Sequence, residues 1–265
     1  MTALAAKVYI VGAGPGDPEL ITVKGMRIIE TADVVLYTDS LVNEDLIARA
    51  KPEATVVPSS GMELGQLVDC MVDYVRQGRS VARVHTGDPA VFGAIFEQMV
   101  GLKKQGVEVE IIPGVSSVFA AAAVLGTELT IPELTQTVIL TRAEGRTPVP
   151  EREKLSTLAA HRATLALFLS ATLTKKVVRE LREAGWADET PVAVVQRATW
   201  PDQRILRTTL GNLDEEMRRA GIRSHAMILA GWALDPSRLA DGGAFRSRLY
   251  DKTFTHGFRK GVDGA

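Results

Sequence analysis

The sequence predicts an α/β protein in two successive halves, with a parallel sheet in the first and a mixed sheet in the second. Three observations carry this. Between Lys7 and Ile112, short β-rich runs alternate with helical patterns, and such alternation implies crossover connections, hence a parallel sheet covered by helices on both faces. In the second half, the runs 192–195 and 205–209 are separated by a short polar stretch holding Pro201 and Asp202, which predicts a hairpin and so an antiparallel component. The alanine-rich run Ala120 to Ala123 continues into a connector containing Pro132, and a fresh strand begins at Thr137. The expected domains are therefore 1–134 and 135–236, followed by a tail, 237–265.

Taken in order, the strand candidates of the first half are 8–11, 34–37, 55–57, 80–84 and 109–112. Between them, Leu64, Leu67, Val68, Met71 and Val75 recur at helical spacing, as do Val91, Ile95, Met99 and Leu102. The second half offers strands at 137–141, 164–169, 192–195, 205–209 and 227–230, with helices near 151–160 and 175–184. Val177, Val178, Leu181 and Ala184 share one face of the latter, and Gly185 suits its C-terminal cap. In the tail, Leu249, Tyr250 and Phe254 give enough apolar character to dock on the body, with a looser end beyond.

Composition bounds the function classes. The chain has 265 residues, 46% of them hydrophobic and 24% charged, with a formal net charge of -1. There is no field to gather nucleic acid or an anionic membrane, so recognition of an acidic ligand must come from local arginines. Met1 to Lys7 lack the features of a secretory signal, and no apolar run approaches the roughly 18 residues of a membrane span; the cytoplasm is expected. Cys70 is the single cysteine, so an internal disulfide is excluded, and it reads as a small core residue. His85, His161, His225 and His256 are dispersed, and no metal site is expected.

The loop after the first strand imitates a dinucleotide-binding turn and departs from it. Gly12 and Gly14 fit, but Asp17 stands where a third glycine belongs, and Pro15 and Pro18 remove donors a diphosphate would use. Asp33 has roughly the right separation to bind a ribose, yet it precedes the second strand and so lies at its wrong end. Two later strands end in similar punctuation. In His85-Thr86-Gly87-Asp88-Pro89, Asp88 can cap a following helix with Pro89 in its first turn, or accept hydrogen bonds from a ligand. Pro113-Gly114-Val115-Ser116-Ser117 opens the alanine-rich helix. Three such loops at strand carboxyl ends of one parallel sheet would converge on one crevice, where ligands of these folds bind. In the second half, Arg142, Glu144 and Arg146 are either a surface ion-pair group or a fork for carboxylates. No nucleophile elbow, zinc-protease motif or phosphate-loop lysine is present, which removes hydrolase and phosphoryl-transfer readings.

Residues 11–22, 86–89 and 113–117, in this order and spacing, resemble the S-adenosylmethionine-dependent tetrapyrrole methyltransferases, over residues 8–235. The runs 134–148, 198–202 and 249–258 resemble the branch that methylates C11 of precorrin-4, and in particular its cobalt-precorrin-4 form in cobalamin synthesis. The resemblance implies the two-domain tetrapyrrole methyltransferase fold, a homodimer, and S-adenosylmethionine bound in a folded conformation between the domains, with S-adenosylhomocysteine as product. By motif position it places Pro15, Thr86, Gly87, Asp88, Val91, Ser116 and Ser117 of the first domain around this cofactor. Leu169, Ala198 and Ala226 would come from the second. It also implies a tetrapyrrole substrate bearing several carboxylates, for which Arg142 and Arg146, with Glu144 between them, are candidate anchors. Asp39 would lie near the macrocycle or cap the next helix. No single side chain is singled out as catalytic, because a sulfonium is already an excellent leaving group and alignment is the main task. Methylation at another macrocycle position, a nicotinamide oxidoreductase and a non-catalytic ligand sensor are the alternatives.

Overall fold

The computed structural model describes residues 4–237 and 247–262. It divides into two compact units, Met1–Ala121 with Arg197–Gln203, and Ala122–Gln196 with Arg204–Ala265.

The first unit is built on β1 (Val8–Gly12), α1 (Val23–Thr31), β2 (Val34–Tyr37), α2 (Glu44–Ile47), β3 (Thr55–Pro58), α3 (Leu64–Arg76), β4 (Val81–His85), α4 (Ile95–Lys104) and β5 (Val109–Ile112), and leads into α5 (Ser117–Leu125). Its five strands are all parallel, in the order β3-β2-β4-β1-β5. Every residue of β1 and β4 is buried, as expected of central strands covered on both faces. One face carries Val8, Ile10, Val34, Leu36 and Val81 against Leu67, Met71 and Leu102 of α3 and α4. The other carries Tyr9, Val11, Val35, Ala82 and Val84 against Ile28, Ile29 and Leu46 of α1 and α2. Local signals set the helix starts. Thr22 Oγ1 accepts from Gly25 N at 3.1 Å to cap α1, and Gln66 Oε1 reaches back to Glu63 N at 3.0 Å at the head of α3.

The second unit holds β6 (Val138–Arg142), α6 (Leu155–Ala159), β7 (Thr164–Phe168), α7 (Thr174–Glu183), β8 (Pro191–Gln196), β9 (Arg204–Thr209), α8 (Leu213–Ala220) and β10 (Ala226–Ala230). The sheet order is β6-β7-β10-β8-β9, with β6 and β7 parallel and the other pairs antiparallel. The mixed sheet and the β8–β9 hairpin agree with the sequence. Leu165, Leu167, Val192, Val194 and Ile228 form its core with Val177 and Leu181 of α7 and Leu213 and Met217 of α8.

Two expectations are corrected. The helix expected to begin at Pro89 begins at Ile95, because Phe92 (φ 54°) and Ala94 (φ 49°) adopt left-handed backbone that breaks right-handed winding. The tail residues 247–262 fold largely on themselves: Arg259 Nη2 donates to Leu249 O and Asp251 O, Asp251 Oδ1 accepts from Thr253, and Val262 N donates to Lys252 O. The Tyr250 ring that was expected to dock is 82% exposed. The tail's looser end lies partly outside the described residues.

Candidate functional site

In the first sheet β1 lies between β4 and β5, so the loops leaving their carboxyl ends fall side by side. They are locked mainly through the backbone. Ala13 N donates to His85 O at 2.7 Å, and Gly14 and Gly87 exchange hydrogen bonds of 3.2 and 2.8 Å. Asp88 uses both carboxylate oxygens, Oδ1 accepting from Ala90 N at 2.8 Å and Oδ2 from Gly114 N at 3.0 Å. It thus ties the second loop to the third and caps a turn, with Val91 N donating to Asp88 O at 3.3 Å. The approach is close enough to exclude side chains: a Cβ on Gly114 would lie 2.1 Å from Gly87 O, and one on Gly12 would lie 2.6 Å from Gly114 Cα. Around this junction sit Pro15, Gly87 and Ser116, all buried, and the half-buried Thr86, Val91 and Ser117. Ser116 O receives Phe119 N and Ala120 N, so the pair Ser116-Ser117 opens α5 as expected.

Ala198 was expected from the second half, but residues 197–203 belong to the first unit. Two hydrogen bonds account for this. Asp17 N donates to Thr199 Oγ1 at 3.0 Å, and Trp200 Nε1 donates to Pro15 O at 3.0 Å. Ala198, 6% exposed, is held beside the first loop by these neighbours.

Beneath the loops, one face of β4 changes character toward its end. Arg83 is 4% exposed, and its guanidinium donates to Ser59 Oγ at 3.0 Å, Thr38 Oγ1 at 3.3 Å, Gln98 Oε1 at 3.3 Å and Leu36 O at 3.4 Å. Burial among neutral acceptors lowers its pKa to about 10. His85 follows on the same face, and burial, helped by the charge of Arg83, lowers its pKa to about 3, so it is neutral. Its Nε2 is buried without a hydrogen-bond partner among the described residues.

Asp39 does not cap the next helix; Asn43 does so, its Oδ1 accepting from Asp45 N at 3.0 Å. Asp39 instead accepts from Ser59 N (3.1 Å), Ser60 N (2.8 Å) and Ser60 Oγ (2.6 Å), joining the loops after β2 and β3. The Ser60 hydroxyl and amide hold its carboxyl below the usual range. Asp33, at the opposite end of β2, binds Lys51 at 2.7 Å and Ser80, which lowers its pKa to about 2. It serves the amino-terminal edge of the sheet, away from the loops.

In the second unit, Arg142 fastens its own loop: Nη2 donates to Pro148 O at 2.9 Å and Nη1 to Thr147 O at 3.2 Å. Glu144 pairs with Lys176, whose Nζ lies 3.2 Å from Oε2 and 2.8 Å from Glu144 O. This amine holds the Glu144 carboxyl below its ordinary value. Arg146 is exposed, with no hydrogen bond or ion pair among the described residues. Leu169, immediately after β7, has φ 51° and is 71% exposed. Left-handed backbone at a leucine costs on the order of 1–3 kcal/mol. Ala226, half-buried, starts β10 opposite Gln196.

The roles of Arg83 and of Thr199 and Trp200 on the first loop are not expected from the sequence. For Arg83 a signal existed: a charged residue inside Val81-Ala82-Arg83-Val84-His85, a strand buried on both faces, has to meet polar partners. For Trp200 the contact spans 185 residues and has no local signal.

Chemically, the loops of the first unit offer carbonyls, hydroxyls and the carboxylates Asp17 and Asp88, with no lysine or arginine in 12–18, 86–91 or 113–117. That set disfavours a diphosphate and suits an uncharged or cationic ligand. Among the described residues no group of three or more histidine, cysteine or acidic side chains could hold a metal ion, and no helix is long and apolar enough to cross a membrane.

Comparison with known proteins gives a consistent pattern. The profile of the family described as Tetrapyrrole (Corrin/Porphyrin) Methylases matches residues 7–214. The chain is 66% identical over 256 residues to a cobalt-precorrin-4 C(11)-methyltransferase of Priestia megaterium, covering 97% of this chain and 98% of that one. Among solved structures, the X-ray structure of a cobalamin biosynthetic enzyme, a cobalt precorrin-4 methyltransferase, is 65% identical with TM-score 0.86, covering 87% of this chain and 97% of the other. A uroporphyrin-III C-methyl transferase from Thermus thermophilus, complexed with S-adenosyl homocysteine, is 31% identical with TM-score 0.73, covering 86% and 93%.

Proposed function

The chain belongs to the tetrapyrrole (corrin/porphyrin) methylase family, and from that premise we propose that it transfers a methyl group from S-adenosylmethionine to C11 of precorrin-4, in its cobalt-containing form, in cobalamin biosynthesis. The cobalt-precorrin-4 reading rests on the 66% identity over nearly the whole chain. We place the enzyme in the cytoplasm as a homodimer. Its cobalt travels with the macrocycle as part of the substrate.

The observation that carries the cofactor reading is the charge of the first-unit loops. A diphosphate would meet Asp17 and Asp88 and find Pro15 and Pro18 where it wants donors, whereas a cationic donor meets no lysine or arginine within 12–18, 86–91 or 113–117. Burial keeps His85 neutral beneath the same loops. The residues therefore fit the methyl donor, with Pro15, Thr86, Gly87, Asp88, Val91, Ser116, Ser117 and Ala198 as its proposed contacts. Leu169 and Ala226 of the second unit are proposed donor contacts as well. When bound, the donor supplies an activated methyl group on a good leaving group. The loops' task is then alignment, worth up to roughly 7–11 kcal/mol of barrier, and their reciprocal backbone bonds give the rigidity alignment needs.

For the substrate, Arg146 is the proposed carboxylate anchor. Arg142 and Glu144 hold the loop that presents it, and Asp39, kept ionised by Ser59 and Ser60, is proposed to lie near the macrocycle.

Two titrations and one turnover assay test this reading. Calorimetry is expected to give saturable binding of S-adenosylhomocysteine and none of NADH. Incubation with S-adenosylmethionine and either cobalt-containing or metal-free precorrin-4 is expected to add one methyl mass, faster with the cobalt form. Binding of NADH alone, or ligand binding without turnover of either macrocycle, would refute the proposal.

A further inference from the structure

The turn between β8 and β9 ends in an aromatic ring seated on the first glycine-rich loop. A Cβ on Gly16 would lie 2.1 Å from Cδ1 and 2.2 Å from Nε1 of Trp200. Gly16 is not among the glycines in left-handed backbone, so its own conformation does not demand glycine; the indole does. Three further contacts hold the ring in place. Its Nε1 donates to Pro15 O at 3.0 Å, the Arg197 guanidinium stacks 4.0 Å from the ring centroid, and Asp202 Oδ1 fixes Arg197 Nε at 2.7 Å. Thr199 adds a second fastening through Asp17 N, while its own amide is held by Gln203 Oε1 at 2.7 Å. Arg197 and Thr199 stand in left-handed backbone, φ 49° and 69°. Strain of this kind persists only where the surroundings over-determine it.

We infer that Trp200 and Thr199 are positioning residues for the methyl donor: the 197–203 turn clamps residues 15–17 and so fixes both Pro15 and Ala198, and Gly16 leaves the space the ring occupies. This deepens the proposed function and rests on it. The clamp touches the loop on the carbonyl of Pro15 and the amide of Asp17, the two sides of Gly16. Without it the loop keeps its bond from Asn43 Nδ2 to Gly16 O, 2.9 Å, and its exchange with Gly87. The prediction is thus a loop that is misplaced rather than an unfolded protein.

Calorimetry with S-adenosylhomocysteine, with melting curves alongside, tests the clamp in the full chain and in Trp200→Ala, Thr199→Val, Gly16→Ala and the Gly16→Ala/Trp200→Ala double variant. Trp200→Ala and Gly16→Ala are each expected to weaken binding by about tenfold or more and to raise KM for S-adenosylmethionine more than they lower kcat. Thr199→Val, which removes one acceptor and keeps the β-branched shape, is expected to weaken binding by about threefold to tenfold. The double variant should bind no worse than Trp200→Ala alone, since the methyl group added at position 16 then meets no ring. Losses that multiply in the double variant would show that Gly16 is needed for something other than the indole and would overturn the inference. Wild-type binding unchanged in all the variants would overturn it alone, whereas failure of the wild-type chain to bind would sink the functional reading with it.

Discussion

The loop cluster of the first unit and the loop after β6 in the second are both candidate ligand contacts, and they are fastened by opposite means. The first is mainly backbone bonded to backbone, with Gly14 and Gly87 in exchange and Gly12 and Gly114 in contact, and Asp88, Thr199 and Trp200 add side-chain ties. The second is held by long charged side chains, Arg142 on carbonyls and Lys176 on Glu144. Such a difference has functional content. A junction built mainly from backbone tolerates change in the side chains that do not tie it, which suits an invariant co-substrate. A loop tied by arginine and lysine leaves Arg146 exposed, and that is the guanidinium proposed to anchor a polyanionic macrocycle.

Acid separates the two regions most strongly. His85 lies under the first cluster with its pKa lowered to about 3, against about 6.5 when unfolded. The unfolded chain therefore binds a proton that the native chain refuses, and stability present above pH 6.5 is lost as pH falls toward 3. The slope approaches ~1.4 kcal/mol per pH unit, or about 3 kcal/mol between pH 7 and pH 4. Urea denaturation of wild type and His85→Asn across this range is expected to show that difference closing in the variant. Glu144 behaves otherwise: its lowered pKa contributes stability above the unfolded carboxylate value that is lost only as pH falls below it.

Next in size is Gly114→Ala, which places a Cβ 2.1 Å from Gly87 O. Overpacking of this sort costs about 1–3 kcal/mol, and S-adenosylhomocysteine affinity is expected to fall by more than the melting temperature implies. If the variant binds normally, the backbone junction does not shape the site.

In the second region, Arg142→Ala releases the carbonyls of Thr147 and Pro148 and is expected to lower stability by about 1 kcal/mol and to raise KM for the macrocycle about tenfold. The smallest structural effect is expected of Arg146→Ala, within about 0.5 kcal/mol of wild type, with a rise in macrocycle KM and no change in S-adenosylhomocysteine affinity. Equal stability losses for the two arginines would erase the distinction between them.

What the sequence disclosed follows the same division. β1 is buried on both faces and so reads as an apolar run, and Pro15, Pro89 and Pro113 with their glycines punctuate the strand ends. Backbone-built features are legible because glycine and proline announce backbone. Side-chain partnerships are not. Arg142 finds carbonyls whose positions exist only in the folded loop, and Trp200 finds Gly16 across the length of the chain. The late start of α4 was hidden for a related reason, since Phe92 and Ala94 give no compositional warning of left-handed backbone.

The proposed activity stands or falls on the destination of the methyl group. With S-adenosylmethionine carrying ¹³C in its methyl and cobalt-precorrin-4 as acceptor, NMR of the isolated product is predicted to place one labelled methyl on C11. Label on any other carbon, or an unlabelled macrocycle after full incubation, would contradict it.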